Sequence, residues 1–266
     1  MKKEEIIKSN IYVIPQTKGG VGKTIVSGIV ATLLYLQNQN KSINLFELDD
    51  NNNSKVNSNY INHQSLKLKD SEIVIDDIQF SSLSDGSVVN IIDCGGGNDT
   101  KVVLNKLKEI DLSGLNYYIP VNDDMEQVDN LKETITLIRD FDKSANINLI
   151  LNRCLSLDKL DIQTQFINIF GDDQLDIPNQ LNTLKVDNVF FVPNSNIFSI
   201  LKSHYKISLL DSYISSLDLV SNIDTYRQEW VKKGQEIFKA NNKRYRFAKM
   251  VVELIEQLNP IQKALL

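Results

Sequence analysis

A septet rich in lysine and glycine, Lys18-Gly19-Gly20-Val21-Gly22-Lys23-Thr24, follows the apolar run Ile11-Tyr12-Val13-Ile14 and precedes an apolar-periodic run that begins at Ile25. Residues of these types in this order suit the holding of phosphate. Glycines let successive backbone N–H groups point into one concavity, at the positive end of the helix that the sequence starts near Lys23. Lys23 then reaches the terminal phosphates, and the Thr24 hydroxyl takes one position on Mg²⁺. The general pattern G-x-x-x-x-G-K-[ST] asks for glycine where this chain has Thr17, so it fails by one residue. What stands instead is a second lysine, Lys18, beside the loop's glycines.

Such a loop works only at the end of a strand, and the chain supplies strands and helices in alternation. Apolar residues recur at helical spacing from Ile25 to about Gln37. Ser42 to Leu48 reads as a strand ending in the polar loop Asp49-Asp50-Asn51-Asn52-Asn53. Residues 54–65 are polar and ambiguous, and Ser71 to Phe80, with Ile73-Val74-Ile75, reads as an edge strand. Val88 to Ile92 is a buried strand that delivers Asp93 to the run Cys94-Gly95-Gly96-Gly97. Further strands are expected at Leu115–Val121, Asn146–Leu151 and Val189–Val192, with helices at Thr100–Glu109, Asp124–Asp142 and Leu157–Phe170. Three helical segments close the chain, near Ile197–Ser215, Ile223–Lys239 and Asn242–Leu258. The alternation predicts an α/β fold, a doubly wound and mostly parallel sheet with helices on both faces and extra C-terminal helices. No Pro- or Gly-rich linker divides residues 1–266, so a single domain is expected, with 221–266 as a helical extension packed on it.

The septet K-G-G-V-G-K-T resembles the deviant phosphate loop of the ParA/MinD family of ATPases, and the resemblance spans roughly Ile11 to Asn196. It implies a nucleotide cradle of Lys18, Gly19, Gly20, Val21, Gly22, Lys23, Thr24 and Ile25. It also implies that Lys18 reaches across a dimer interface to the partner's phosphates, stabilising transition-state charge in the manner of an arginine finger. The family's D-x-D-P-Q switch stands here as Glu47-Leu48-Asp49-Asp50-Asn51, with Asp49 matching the carboxylate that orients the attacking water. Its second switch, commonly D-x-P-P, aligns with Asp93-Cys94-Gly95-Gly96, where Asp93 joins Thr24 and Asp49 around the metal. Gly95-Gly96-Gly97 replaces the prolines, a more flexible backbone that suggests larger movement between nucleotide states. Asn152-Arg153 and Pro193-Asn194 resemble the two sides of the family's base site, and the absence of the GTPase signal N-K-x-D favours adenine. Lys18, Lys23 and Asp49 are thus the expected catalytic residues, with ATP and Mg²⁺ as cofactors.

Composition sets the outer limits. Lys+Arg 29 against Asp+Glu 34 gives a formal net charge of −5, so any DNA contact must come from a local patch. One is present in Arg227, Lys232, Lys233, Lys239, Lys243, Arg244, Arg246 and Lys249, interleaved with Trp230, Tyr245 and Phe247; such a helix suits DNA phosphates or is the solvated face of packed helices. Met1-Lys2-Lys3-Glu4-Glu5 lacks a signal-peptide core, no run approaches the roughly 18 apolar residues of a membrane span, and Leu258–Leu266 is unlike a basic membrane-binding tail. Cys94 and Cys154 are too few for a disulfide framework and poorly placed for a shared iron–sulfur cluster. A cytoplasmic location is expected. His63 and His204 are isolated, and the abundance of Asn, Lys and Ile reads as a base-composition bias of the source genome. The expectation is a slow, partner-stimulated ATPase. It forms an ATP-dependent homodimer, answers to a ParB-like or other stimulating partner, and positions plasmid DNA through the basic patch, without membrane binding. An accessory ATPase of conjugation or mobilisation, and a MinD-like spatial regulator without DNA, are the alternatives.

Overall fold

Ile11–Ile14 and Val89–Cys94 are buried at consecutive positions instead of alternating, the pattern of strands covered on both faces. The computed structural model describes residues 9–50, 56–124 and 126–265. It forms one seven-stranded sheet from β1 (Ile11–Ile14), β2 (Ser42–Leu48), β3 (Ile61–Leu66), β4 (Val88–Cys94), β5 (Asn116–Val121), β6 (Asn146–Cys154) and β7 (Asn188–Pro193). The order is β3-β2-β4-β1-β5-β6-β7, and every pairing between these seven strands is parallel. Parallel neighbours require crossovers. These are α1 (Lys23–Gln37), α2 (Ser71–Ser84), α3 (Asn98–Glu109), α4 (Gln127–Phe141), and the short α5 (Lys159–Gln165), α6 (Ile167–Phe170) and α7 (Leu181–Leu184).

Strand side chains alternate between faces, and the two faces have different cover. Ile11 and Val13 join Val74, Leu104, Leu131 and Ile138 of α2, α3 and α4 in one core cluster. Tyr12 and Ile14 point the other way, toward the side that α1 covers with its buried Val26, Ile29, Val30 and Leu33. After β4 the chain passes to β5 on the opposite side of β1, so the strand order reverses at β1. Ligands of open α/β sheets bind at the carboxyl ends of the strands beside such a reversal. The septet leaves β1 at that point.

Three expectations need correction. Ser71–Phe80 is helical, within α2, and not an edge strand. Its β-branched triplet suggested a strand, but Val74, Ile75 and Ile78 recur at helical spacing and are buried, while Ile73 and Phe80 are exposed. The edge strand next to β2 is β3, which lies in the stretch that read as ambiguous. Leu157–Phe170 is two short helices, divided at the buried Phe166. The C-terminal segments also break differently: α8 (Asn196–Ile200), a π-helical turn over Leu201–Tyr205, α9 (Leu209–Ser221), α10 (Ile223–Lys232), α11 (Gln235–Gln257) and α12 (Asn259–Ala264). Gly234, at φ 102°, divides α10 from α11, whereas Ala240 and Asn241 continue the helix.

Asparagine has a structural use across the sheet. Asn62 Nδ2 donates to Asn44 Oδ1 at 3.2 Å, and Asn44 Nδ2 to Asn90 Oδ1 at 3.0 Å. Asn146 donates to Asn116 at 3.0 Å and Asn188 to Asn148 at 2.8 Å. Each donor and acceptor are register partners on neighbouring parallel strands. A one-residue slip would turn these amides to opposite faces, so the ladder specifies register.

The chain divides into two compact units, one of residues 1–54 and 61–194, the other of residues 55–60 and 195–266. In the second, α9 packs on α11, which buries Ala248, Val251, Leu254 and Ile255 along one stripe. Residues 57–59 are tied into it by Asp211, whose carboxylate accepts from Ser58 Oγ at 2.6 Å and from Asn59 N and Nδ2 at 2.9 Å each. The formal charge is unevenly shared: 17 Lys+Arg against 27 Asp+Glu in the first unit, 12 against 7 in the second. The net −5 therefore combines about −10 with about +5.

Candidate functional site

Gly22 caps α1 in a left-handed conformation, φ 98°, and a Cβ there would come 2.1 Å from Asn152 Nδ2. Only glycine satisfies both constraints. Ile25 N and Val26 N bond to Gly22 O at 3.0 Å, closing the first turn of α1 directly behind the loop. Lys23 is buried at the start of that turn, with its ammonium donating to Lys18 O at 2.9 Å and Gln16 O at 3.1 Å. Burial pulls its pKa down, against the upward pull of Asp93, Cys94, Asp49 and Asp99. Lys18 behaves differently. Its ammonium leaves the loop and meets Glu126 Oε2 at 2.7 Å, which raises its pKa.

β4 delivers Asp93 into the interior at 2% exposure. Its Oδ2 accepts from Ser27 Oγ at 3.2 Å, while Oδ1 has no partner among the described residues. Desolvation, then the Glu47 carboxylate, push its pKa up to about 7, with Thr24, Lys23 and Ser27 opposing. An orphaned buried carboxylate oxygen is costly. A hard cation beside the Thr24 hydroxyl would satisfy it, so Thr24 and Asp93 fit Mg²⁺. Asp49, at the end of β2, is half-buried, and its N–H bonds to Leu66 O at 3.3 Å. Glu47 lies under the same strand end with His63 Nε2 3.4 Å away, so His63 is a packing partner of the switch strand. Asn51, matched to the family's glutamine, lies outside the described residues.

The Gly95-Gly96-Gly97 run has a steric cause. A Cβ on Gly96 would stand 3.1 Å from Gly19 Cα and 3.7 Å from Lys23 Nζ, so the run lets the β4 loop pass close against the phosphate loop. Asp99, which sequence reasoning missed, follows at the start of α3. Its carboxylate accepts from Asp50 N at 3.4 Å, and burial together with Asp49 and Asp50 raises its pKa. Also missed was the hydroxyl and amide network behind the loop: Gln16 N on Thr100 Oγ1 at 3.4 Å, Thr17 N on Thr134 Oγ1 at 3.3 Å, and Thr134 Oγ1 on Gln16 Oε1 at 3.1 Å. These join the segment after β1 to α3 and α4, where no sequence motif marks them.

The expected base site is assembled in part. Asn152 is buried at the end of β6, and its Nδ2 donates to Val21 O at 2.8 Å. Arg153, held at φ 61°, donates from Nη2 to Gly20 O at 3.2 Å. Both residues thus hold carbonyls of the phosphate loop, so that its N–H groups are not the ones engaged. Pro193 pairs with Cys154, and Asn194 N bonds to Cys154 O at 2.8 Å, so the ends of β6 and β7 stand side by side. Cys94 and Cys154 are both free and buried.

A glycine loop between a parallel strand and a helix, at the reversal of an all-parallel sheet, defines a P-loop nucleotide-binding fold. More particularly, it is the fold of MinD: over 76% of this chain and 89% of the other, it matches the MinD cell division protein of Aquifex aeolicus with a TM-score of 0.50 at 16% identity. A chain of the MinC:MinD cell division protein complex of Aquifex aeolicus gives 0.50 at 16% identity, over 76% of this chain and 88% of the other. The cell division ATPase MinD of Pyrococcus furiosus gives 0.48 at 15% identity, over 94% and 98%. No family model and no curated protein matches the sequence. No described helix is long and apolar enough to cross a membrane.

Proposed function

We propose that the chain is a ParA/MinD-type ATPase that binds ATP·Mg²⁺, closes into a nucleotide-sandwiched homodimer and hydrolyses ATP slowly, using the cycle to position DNA. The observation that carries this reading is the divergence of the two loop lysines. Lys23 folds into its own loop's carbonyls, where it meets the phosphates bound there; Lys18 extends out of the loop to Glu126, a solvent-exposed partner it would exchange for phosphates held by a second copy. Charge neutralisation of this kind is the main contribution a protein makes to phosphoryl transfer. Thr24 and Asp93 would hold Mg²⁺, which supplies further neutralisation on the phosphate oxygens. Asp49 orients the attacking water, Asn152 and Arg153 brace the loop through its carbonyls, and Pro193 and Asn194 stand on the nucleotide's base side.

The DNA arm rests on charge. The second unit carries about +5, and among its described residues Lys232, Lys233, Lys239, Lys243, Arg246 and Lys249 form no ion pair. Plasmid partition with a ParB-like stimulating partner is the use this suits, with conjugation as the related alternative. A spatial regulator acting through protein binding alone is favoured by a different feature. Ile73, Phe80 and Leu83 of α2 are 67%, 74% and 84% exposed beside Asp76 and Asp77.

Solution mass with ATP·Mg²⁺, with ADP and without nucleotide, using Lys18→Ala as control, tests the dimer. A dimer seen only with ATP and lost in the variant is expected; a mass indifferent to nucleotide would overturn the reading. Gel shifts with arbitrary duplex then separate the DNA reading, which requires ATP-dependent, salt-sensitive binding, from the protein-only one.

A further inference from the structure

A cavity of about 220 Å³ opens in the helical unit between the π-helical turn, α9 and α11. Its walls are apolar: Tyr205 and Phe247 line it with ring centroids 5.7 Å apart and planes tilted by 47°. Its floor includes Ser212 and Ser216, on successive turns of α9 and only 4% and 6% exposed. Neither hydroxyl has a hydrogen-bond partner among the described residues. The neighbouring Ser215 contrasts with them, since its hydroxyl is already committed to Asp211 O and Ser212 O at 2.9 and 3.0 Å. Arg244 is the single charged residue of the lining, and its guanidinium meets only Asn241 Oδ1, at 3.3 Å, with no carboxylate. Backbone of uncommon form shapes the wall, where the π-turn ends in Lys206 at φ 55°.

These features constrain an occupant from three sides. A purely apolar molecule would cover the serine hydroxyls without bonding them and would leave the Arg244 guanidinium at the rim unused. An inorganic anion would leave the aromatic wall wet. A molecule with an anionic head and a short apolar body satisfies both, and the guanidinium fork matches a carboxylate with two parallel hydrogen bonds. The volume lies below the 300–1,000 Å³ usual for drug-sized ligands, so the body must be compact. We infer that the helical unit carries a second binding site, for a small organic carboxylate, with Arg244 as the anion contact, Ser212 and Ser216 as floor donors, and Tyr205 and Phe247 as the wall. The inference does not depend on the ATPase reading.

Phenylacetate titrated into the full chain, followed by amide chemical shifts, tests it. 2-Phenylethanol, lacking the charge, and inorganic phosphate, lacking the ring, serve as comparisons. Saturable phenylacetate binding is expected, with shifts centred on Phe247 and Ala248 and clearly weaker binding of both comparison compounds. Arg244→Gln should weaken it about tenfold or more, and Arg244→Lys, which keeps the charge but not the fork, by less. Arg244 is exposed, so both variants should fold, which far-ultraviolet dichroism checks. No saturable phenylacetate binding, equal binding of 2-phenylethanol, or unchanged affinity in Arg244→Gln would each overturn the proposal.

Discussion

The ammonium of Lys18 lies 2.7 Å from Glu126 Oε2, so the lysine expected to act on a partner's nucleotide is held by a carboxylate of its own chain. Glu126 immediately precedes α4, the helix whose Thr134 bonds to Thr17 behind the loop. The contact therefore joins the tip of the phosphate loop to the helix that braces its base.

Replacing Glu126 with Gln should favour the ATP-bound dimer. Lys18 must exchange Glu126 for phosphate oxygens when two copies close, and the variant removes that competition. The pair is open to solvent, so the gain is a few-fold in dimerisation constant and fades at high salt. Light scattering of the ATP-bound protein over a concentration series reads it. A dimer weakened by Glu126→Gln would mean that Glu126 supports closure instead of opposing it.

Asp49→Ala should separate closure from turnover. The carboxylate stands at the end of β2, whose last carbonyl, Leu48 O, accepts from Gly95 N at 2.7 Å, so both switch strands end in register and should stay folded without it. Loss of a water-orienting base typically lowers turnover by about 10²-fold or more. Phosphate release should fall accordingly while the ATP-bound dimer persists. A variant that remains monomeric in ATP would count against Asp49 as the switch carboxylate.

The asparagine ladder predicts an order of stabilities. Asn44 bonds to Asn62 on one side and to Asn90 on the other, and Asn90 is fully buried. Asn44→Ala strands an amide donor and an amide acceptor, at a cost of about 1–3 kcal/mol. Asn188→Ala, at the exposed start of edge strand β7, breaks one bond and strands only one acceptor, Asn148 Oδ1, so it should cost less than Asn44→Ala. Urea unfolding of both variants gives the comparison, and equal losses would show that the ladder contributes little beyond strand pairing.

Much of this was legible because the relevant signals are local. The septet, the apolar strand of Val88–Ile92 and the carboxylate at its end all lie within short windows, and strand–helix alternation carried the sheet class. What escaped depends on contacts far apart in sequence. Ile73-Val74-Ile75 carries strand propensity, yet the burial of Val74, Ile75 and Ile78 along one face of the crossover α2 makes it helical. The asparagines resembled compositional bias because their purpose exists only across strand pairs. Asp99 and Glu126 carry no motif, and their relation to Asp50 and Lys18 arises from packing alone.

Asn152 offers the sharpest separation between resemblance and geometry. The resemblance puts this asparagine on the adenine edge, whereas its Nδ2 is held by Val21 O at 2.8 Å, against Gly22, in a residue 2% exposed. An asparagine that reads adenine and one that braces the loop fail differently when truncated. If it reads the base, Asn152→Ala should erase the preference for ATP over GTP and leave affinity for tripolyphosphate unchanged. If it braces the loop, the variant should weaken ATP, GTP and tripolyphosphate alike, by about five- to tenfold for one lost hydrogen bond and an orphaned carbonyl. The geometry leads us to expect the second pattern. Competition of the three ligands against a fluorescent ATP analogue measures all of these affinities in one assay. Selective loss of ATP discrimination would restore Asn152 to the base site and make its bond to Val21 a feature of the nucleotide-free chain.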